Sequence, residues 1–173
     1  MKEKAISLAN SWAENPYFDN TDREEIKNLL KEPTQNEEEI VDRFYKDLEF
    51  GTGGMRSIIG VGSNRINKYN IRRATQALAN TVLKSTPTGA KACVSHDNRR
   101  FSIEFAREIA SVFAANGIKT YIFDQLTPTP VLSYAVRYFK ADCGVMLTAS
   151  HNPKQYNGFK AYWNDGSQVT PPY

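Results

Sequence analysis

The chain has 173 residues, of which 40% are hydrophobic and 24% charged, with a net charge of +3. This is an ordinary globular composition with enough length for one domain and its core. Basic residues fall in pairs such as Arg72-Arg73 and Arg99-Arg100 rather than in a tract, which argues against nucleic-acid binding. No apolar run approaches membrane-spanning length, and MKEKAISLANSWAENP lacks the unbroken apolar stretch of a signal peptide, so a cytoplasmic location is expected.

The first fifty residues read as helices. Ala5, Leu8, Ala9 and Trp12 share one face at i, i+3, i+4 and i+7. Thr21-x-x-Glu24 and Thr34-x-x-Glu37 each look like a capping box opening a further helix, with Glu37-Glu38-Glu39 in the first turn of the third. From Asp47 the glycine-rich DLEFGTGGMRSIIGVGSNRINKYN reads as an extended segment, a loop and a return strand.

An alternating pattern follows. A helix is expected near 70–85, with Ile71, Ala74, Leu78 and Val82 inward and Arg73, Gln76, Asn80 and Lys84 outward; a strand follows over 92–95. The next helix, near 102–116, sets Ile103, Ala106, Ala110 and Phe113 against Glu104, Arg107, Glu108 and Ser111, and Gly117 is placed to end it in a left-handed cap. Then come a strand over 119–123, a helix with Thr129 at N-cap and Pro130 at N1, and a buried strand over 143–147. The segment 159–163 reads as one more strand, and DGSQVTPPY as an exit linker. Cys93 and Cys143 lie inside apolar strands and not in a CxxC pair, as buried free thiols would.

Successive βαβ crossovers predict an α/β fold: a three-layer αβα domain over 47–173 with a mainly parallel, mixed sheet, preceded by a helical extension over 1–46. Ligands of such sheets sit beyond the carboxyl ends of the strands, so residues after Ser95, Phe123 and Leu147 are expected on one functional edge.

The strongest chemical signal is GVMLTASHNPKQYNGFKAYW, from Gly144 to Trp163. A buried strand delivers Thr148-Ala149-Ser150-His151-Asn152-Pro153 into a polar loop, and the chain returns through Asn157-Gly158-Phe159-Lys160. A hydroxyl, an imidazole, an amide and an ammonium in one loop suit phosphoryl handling. An ordinary turn serine and an ordinary Asn-Gly turn remain open at this point. A hydrolase triad is weaker, because an imidazole adjacent to Ser150 points away on an extended chain and no G-x-S-x-G elbow is present.

TASHNP with a downstream NGFK closely resembles the phosphoserine loop of the α-D-phosphohexomutase family. FGTGGMRS (Phe50–Ser57) is similar to that family's N-terminal phosphate-facing loop and NRINKYNIRRATQALA (Asn64–Ala79) to its first long helix. SHDNRRFS (Ser95–Ser102) and TPTP (Thr127–Pro130) fall where the family has its other loops. LEFGTGGMR, YNIRRATQ and YNGFKAYWNDG most resemble the phosphoglucomutase-2 and phosphopentomutase-like branch.

The resemblance implies an N-terminal domain of an enzyme that interconverts sugar 1-phosphates and 6-phosphates, or pentose equivalents, through a bisphosphate. Ser150 matches the phosphorylated serine. His151 and Lys160 match residues beside the reacting oxygens, Arg56 a basic residue near the phosphoserine, and Asn152 a loop-shaping residue. Asp97 and Arg99 are expected to support the phosphate or the loop. The resemblance also implies Mg²⁺, with the Ser150 phosphoryl as the only ligand from this chain, and a sugar bisphosphate as activator. Hexose or pentose phosphate is the implied substrate, and later domains of the same enzyme are the implied partners. The segment is accordingly expected to fold alone and to be inactive alone. A stand-alone sugar-phosphate-binding or regulatory module on the same scaffold is the competing reading. A generic nucleotide binder is poorer, since neither G-x-G-x-x-G nor G-x-x-x-x-G-K-[ST] occurs.

Overall fold

A computed structural model describes residues 1–170. Helices α1 (Lys2–Glu14), α2 (Asn20–Lys31) and α3 (Glu37–Phe44) form the N-terminal layer. They are followed by β1 (Met55–Ile58), α4 (Lys68–Ser85), β2 (Lys91–His96), α5 (Ser102–Ala115), β3 (Lys119–Ile122), α6 (Thr129–Tyr138), β4 (Cys143–Leu147) and β5 (Tyr156–Trp163).

Neither expected capping box forms. Helix α2 is preceded by Asp19 and α3 by Asn36, and neither side chain caps its helix. Asp19 instead pairs with Lys68 of α4, and Asn36 donates to Leu29 O. Tertiary partners outcompete the local cap in both places. By contrast, Asn67 caps α4 through the Asn70 N–H at 3.0 Å, the local solution its side chain favours. Helix α6 begins one residue earlier than expected, with Pro128 at its N-cap and Pro130 inside the first turn.

The five-stranded sheet has the order β1-β5-β4-β2-β3. β2 is parallel to β3 and to β4, whereas β5 is antiparallel to both β4 and β1, which makes the sheet mixed. The crossover from β2 to β3 runs one way along the sheet and that from β3 to β4 runs back. Crossovers of one hand then place their helices on opposite faces. Accordingly α4 and α5 pack on Ala92, Val94, Val145, Leu147 and Phe159, and α6 packs on Cys93, Met146 and Tyr162 from the other side.

Helix α4 buries the expected Ile71, Ala74, Leu78 and Val82. Helix α5 is rotated from expectation: it buries Phe105, Ala106, Ile109 and Phe113, while Ile103 is 37% exposed. At 100° per residue Ile103 lies more than a third of a turn from the midline of Phe105 and Ile109. Gly117, at φ 73°, ends α5 as expected. The tail is not wholly a linker. Val169 N–H donates to Ala161 O at 2.8 Å and Trp163 N–H to Ser167 O at 2.9 Å, so residues 164–169 fold back along β5. The Pro171-Pro172-Tyr173 end of that expected linker lies outside the described residues.

The helical layer is joined to the sheet domain by chemistry as well as by packing. Trp12, Ile26, Ile40 and Phe44 cluster with Val61 and Tyr69 of the following segment. The Tyr69 hydroxyl donates to Asp22 at 2.6 Å and accepts from the Asp19 N–H at 2.8 Å. Asn64 N–H, Asn64 Nδ2 and Arg65 reach the last carbonyls of α3, Arg43 O and Asp42 O, and satisfy a helix end that lacks intrahelical donors. Cys93 and Cys143 are free and buried. They cannot pair: Cys143 lies opposite Ala92, and Cys93 opposite Gly144, so the two thiols leave opposite faces of the sheet. Burial pushes them up to about 11 and about 12 respectively.

Gly144 decides how closely α6 approaches. A Cβ there would lie 2.6 Å from Val136 Cγ2. Gly144→Ala is expected to lower stability by about 1–3 kcal/mol in urea denaturation, as overpacking does. Adding Val136→Ala to the same molecule should recover part of that loss, and strictly additive losses would refute the contact.

Candidate active site

Because β2 and β4 are adjacent and parallel, their carboxyl ends release two loops side by side. His96 lies opposite Leu147, and the Asp97 N–H continues the ladder to Leu147 O at 3.1 Å. The third loop, TPTP, joins the same edge through the Thr127 N–H, which donates to His96 O at 3.0 Å.

Arg99 ties the first two loops together. Its Nη1 donates to Pro153 O and Tyr156 O, both at 2.9 Å, and its Nη2 donates to Ser150 O at 2.9 Å and Asn152 O at 2.8 Å. Nε lies 3.4 Å from Asp97 Oδ2, and the Asp97 carboxylate also accepts from the Arg99 N–H at 3.0 Å. The side chain is 12% exposed. One planar cation therefore holds four carbonyls of the other loop, a task that needs the forked geometry of a guanidinium. Asp97 and Arg99 thus act on the loop's backbone.

Within the loop, the Asn152 N–H donates to Ala149 O at 3.0 Å and the Ser150 N–H to Thr148 Oγ1 at 3.0 Å. Ser150 has φ 55°, the left-handed region that a side-chain-bearing residue occupies at a cost. That conformation alters the expectation for His151. The chain is not extended at Ser150, so the imidazole turns to the same side and Nδ1 lies 3.4 Å from Ser150 Oγ. Both side chains are exposed.

Arg56, on β1, reaches the loop by donating to Asn152 Oδ1 at 3.2 Å. Lys160 sits on β5 opposite Met146 and is half-buried. Its stem runs under the glycine turn, where a Cβ on Gly54 would meet Lys160 Cγ at 3.1 Å and Phe159 O at 2.6 Å. The Lys160 ammonium makes no hydrogen bond or ion pair among the described residues. The structure therefore brings Ser150, His151, Asn152, Arg56, Asp97 and Arg99 into one contact network, and Lys160 stands outside it.

Three residues of this edge escape sequence reasoning. Thr148 receives the Ser150 N–H, and its signal is a threonine two residues before a turn residue. Ser102 and Asn157 lie buried between the loops. Asn157-Gly158 is not a turn but the start of β5. Gly158 is needed there because a Cβ would fall 2.6 Å from Met55 O and 2.7 Å from Thr148 O.

Residues 47–173 match the model of the phosphoglucomutase/phosphomannomutase alpha/beta/alpha domain I. A phosphoglucomutase of Staphylococcus epidermidis is 39% identical over 156 residues, which cover 90% of this chain and 28% of that protein. A phosphopentomutase of Mus musculus is 36% identical over 170 residues, covering 94% of this chain and 26% of that protein. The crystal structure of a Thermus thermophilus protein assigned as a phosphomannomutase superposes with a TM-score of 0.66 at 35% identity, over 73% of this chain and 28% of that one. The chain spans about a quarter of the length of the curated relatives it matches.

Arg99→Lys is expected to destabilise the protein by about 1.5–3 kcal/mol, the range for hydrogen bonds to a charged group. It should also speed hydrogen exchange of amides 150–156 selectively. Unchanged exchange in that loop would show that the guanidinium does not hold it.

Proposed function

The chain belongs to the phosphoglucomutase/phosphomannomutase family through its alpha/beta/alpha domain I, and from that membership we propose that Ser150 carries the phosphoryl group of a sugar-phosphate mutase. The observation that carries this reading is the state of Ser150: its backbone is pinned in a left-handed conformation, while its exposed hydroxyl has, among the described residues, only the His151 imidazole within hydrogen-bond reach. A fixed backbone with an accessible oxygen is what covalent phosphoryl relay requires.

In the proposed cycle a hydroxyl of a hexose or pentose monophosphate attacks the phosphorus on Ser150. The new sugar O–P bond forms, the Ser150 Oγ–P bond breaks, the sugar hydroxyl gives up its proton and Oγ takes one. The resulting sugar bisphosphate then turns and returns its other phosphoryl to Oγ, with the proton movements reversed. Phosphoserine is regenerated and the phosphate has changed position on the sugar. His151 is placed to exchange the proton at Oγ. The Lys160 ammonium, unpaired among the described residues, supplies charge neutralisation to the transferring group, and Arg56 fixes the loop through Asn152. A free sugar bisphosphate, added as activator, would phosphorylate an empty Ser150 by the same step.

Magnesium is implied by the family resemblance, but the described residues alone do not fit it. No three His, Cys, Asp or Glu side chains converge among them, and Asp97 is committed to Arg99 and Ser102. A hard cation takes about six oxygens, so the Ser150 phosphoryl oxygen would be one ligand among several supplied from elsewhere in the enzyme. The sugar site and further domains belong to the same proposal, as does a cytoplasmic setting. Among the described residues no helix is long and apolar enough to cross a membrane.

Peptide mass spectrometry of the full natural protein, wild type and Ser150→Ala, tests the assignment. Phosphate is expected on Ser150 and absent from the variant, with mutase turnover abolished. Phosphate on another serine with full turnover would overturn it. Lys160→Met should lower kcat by ~10²–10³-fold, the typical loss of one charge-stabilising donor, with little change in melting temperature. Wild-type turnover would return Lys160 to the role of a surface residue.

A further inference from the structure

Asn157 is fully buried at the second position of β5, immediately after the Ser150 loop. Its carboxamide leaves the sheet and enters the β2–α5 loop. Nδ2 donates to Arg100 O at 3.0 Å and to Ser102 Oγ at 2.9 Å, and Oδ1 accepts the Gly158 N–H at 2.8 Å. Ser102, also buried, passes the connection on: its hydroxyl donates to Asp97 Oδ1 at 3.1 Å. The same carboxylate orients Arg99, whose guanidinium ends on the carbonyls of Ser150, Asn152, Pro153 and Tyr156. Tyr156 is bonded to Asn157 through the chain. The hydrogen bonds therefore form a closed circuit: Asn157, Ser102, Asp97, Arg99, the Ser150 loop, and back to Asn157.

Each link in the circuit has only one workable polarity. A carbonyl and an ionised carboxylate accept and cannot donate. The Ser102 hydroxyl must therefore give its proton to Asp97 and receive one from Asn157, and residue 157 must supply two donors. An aspartate at 157 would turn an acceptor toward Arg100 O in a dry setting, where an unmade hydrogen bond is expensive. The strand register leaves no room to relax, because Gly158 is wedged between Met55 O and Thr148 O.

We propose that Asn157 is a positioning residue for phosphoryl transfer: through Ser102 and Asp97 it sets Arg99, and through Arg99 the place of Ser150 Oγ. The inference rests on the reading that Ser150 carries the phosphoryl group. Asn157 and Ser102 themselves touch neither the hydroxyl nor any reacting atom. Their effect is to over-determine a strained backbone, which is how a left-handed serine persists in a folded protein.

The test uses the full natural enzyme, with variants Asn157→Asp, Ser102→Ala and Ser102→Thr measured well below their melting temperatures. Asn157→Asp and Ser102→Ala should each lower kcat by about 10–10²-fold, the scale of loss for displacing a reacting group. KM for sugar phosphate should stay within about two-fold, and the phosphorus NMR line of phosphoserine should shift. Ser102→Thr keeps the hydroxyl and should restore both readouts. Folded variants with lower melting temperature but wild-type kcat and an unmoved phosphorus line would overturn the proposal. If Asn157→Asp does not fold, Ser102→Ala decides; failure of both to fold would make the circuit purely structural and also overturn it. Ser150→Ala run in parallel separates the two readings. Activity in that variant refutes the phosphoserine assignment, whereas its inactivity beside wild-type turnover in Asn157→Asp refutes only the role of Asn157.

Discussion

The Arg99 guanidinium converts two loops into one object. Four backbone carbonyls of residues 150–156 converge on it, and Asp97 neutralises it from behind. This use of a cation has an electrostatic consequence. Its charge is directed at carbonyl dipoles and a carboxylate, so it is not free to meet a phosphate. Arg56 and Lys160, the other two cations expected at this edge, lie on β1 and β5. The limit is one of hydrogen-bond capacity: with its Nη groups on four carbonyls and Nε against Asp97, Arg99 has no donor left to offer.

The rest of the sheet domain serves that arrangement. Two parallel strands must end together for Arg99 to reach across, and the β2–β4 register brings His96 level with Leu147. The chain must then return at once, so that the loop is closed on both sides. The antiparallel β4–β5 pair does this and makes the sheet mixed rather than parallel throughout. β1 adds to the far side of β5 and delivers Arg56 to Asn152. Glycines at 54 and 158 permit this crowding, because at each a Cβ would meet backbone oxygen at 2.6 Å. The helical layer contributes at one remove: α3 accepts hydrogen bonds from Asn64 and Arg65, and that segment in turn pairs with β1 through the Ile66 N–H and Ile58 O.

The alternation of apolar runs with helical periodicity made the α/β class, both crossovers and the common edge of the three loops legible from the chain alone. So were the inward face of α4 and the buried thiols. Motif resemblance singled out Ser150 and its neighbours. What was misread follows a pattern. The capping boxes at Thr21 and Thr34 are locally sound, yet Asp19 and Asn36 precede the helices because Lys68 and Leu29 O engage them from elsewhere in the fold. Ile103 fits a helical stripe by count, but α5 turns its Phe105 and Ile109 side to the sheet instead. His151 was placed opposite Ser150 on the assumption of an extended chain, and a single left-handed residue reverses that.

Periodicity and turn chemistry are local, so the sequence by itself determined which segments are helix or strand and which loop carries a hydroxyl, an imidazole and an amide. The tertiary structure decided what those loops do to one another. That Arg99 commits both its Nη groups to residues 51–57 positions away, and that Asn157 is a buried two-donor amide rather than a turn residue, depends on strand order and register. Both are settled only when distant segments pack, because a hydrogen bond across such separations has no periodicity to announce it.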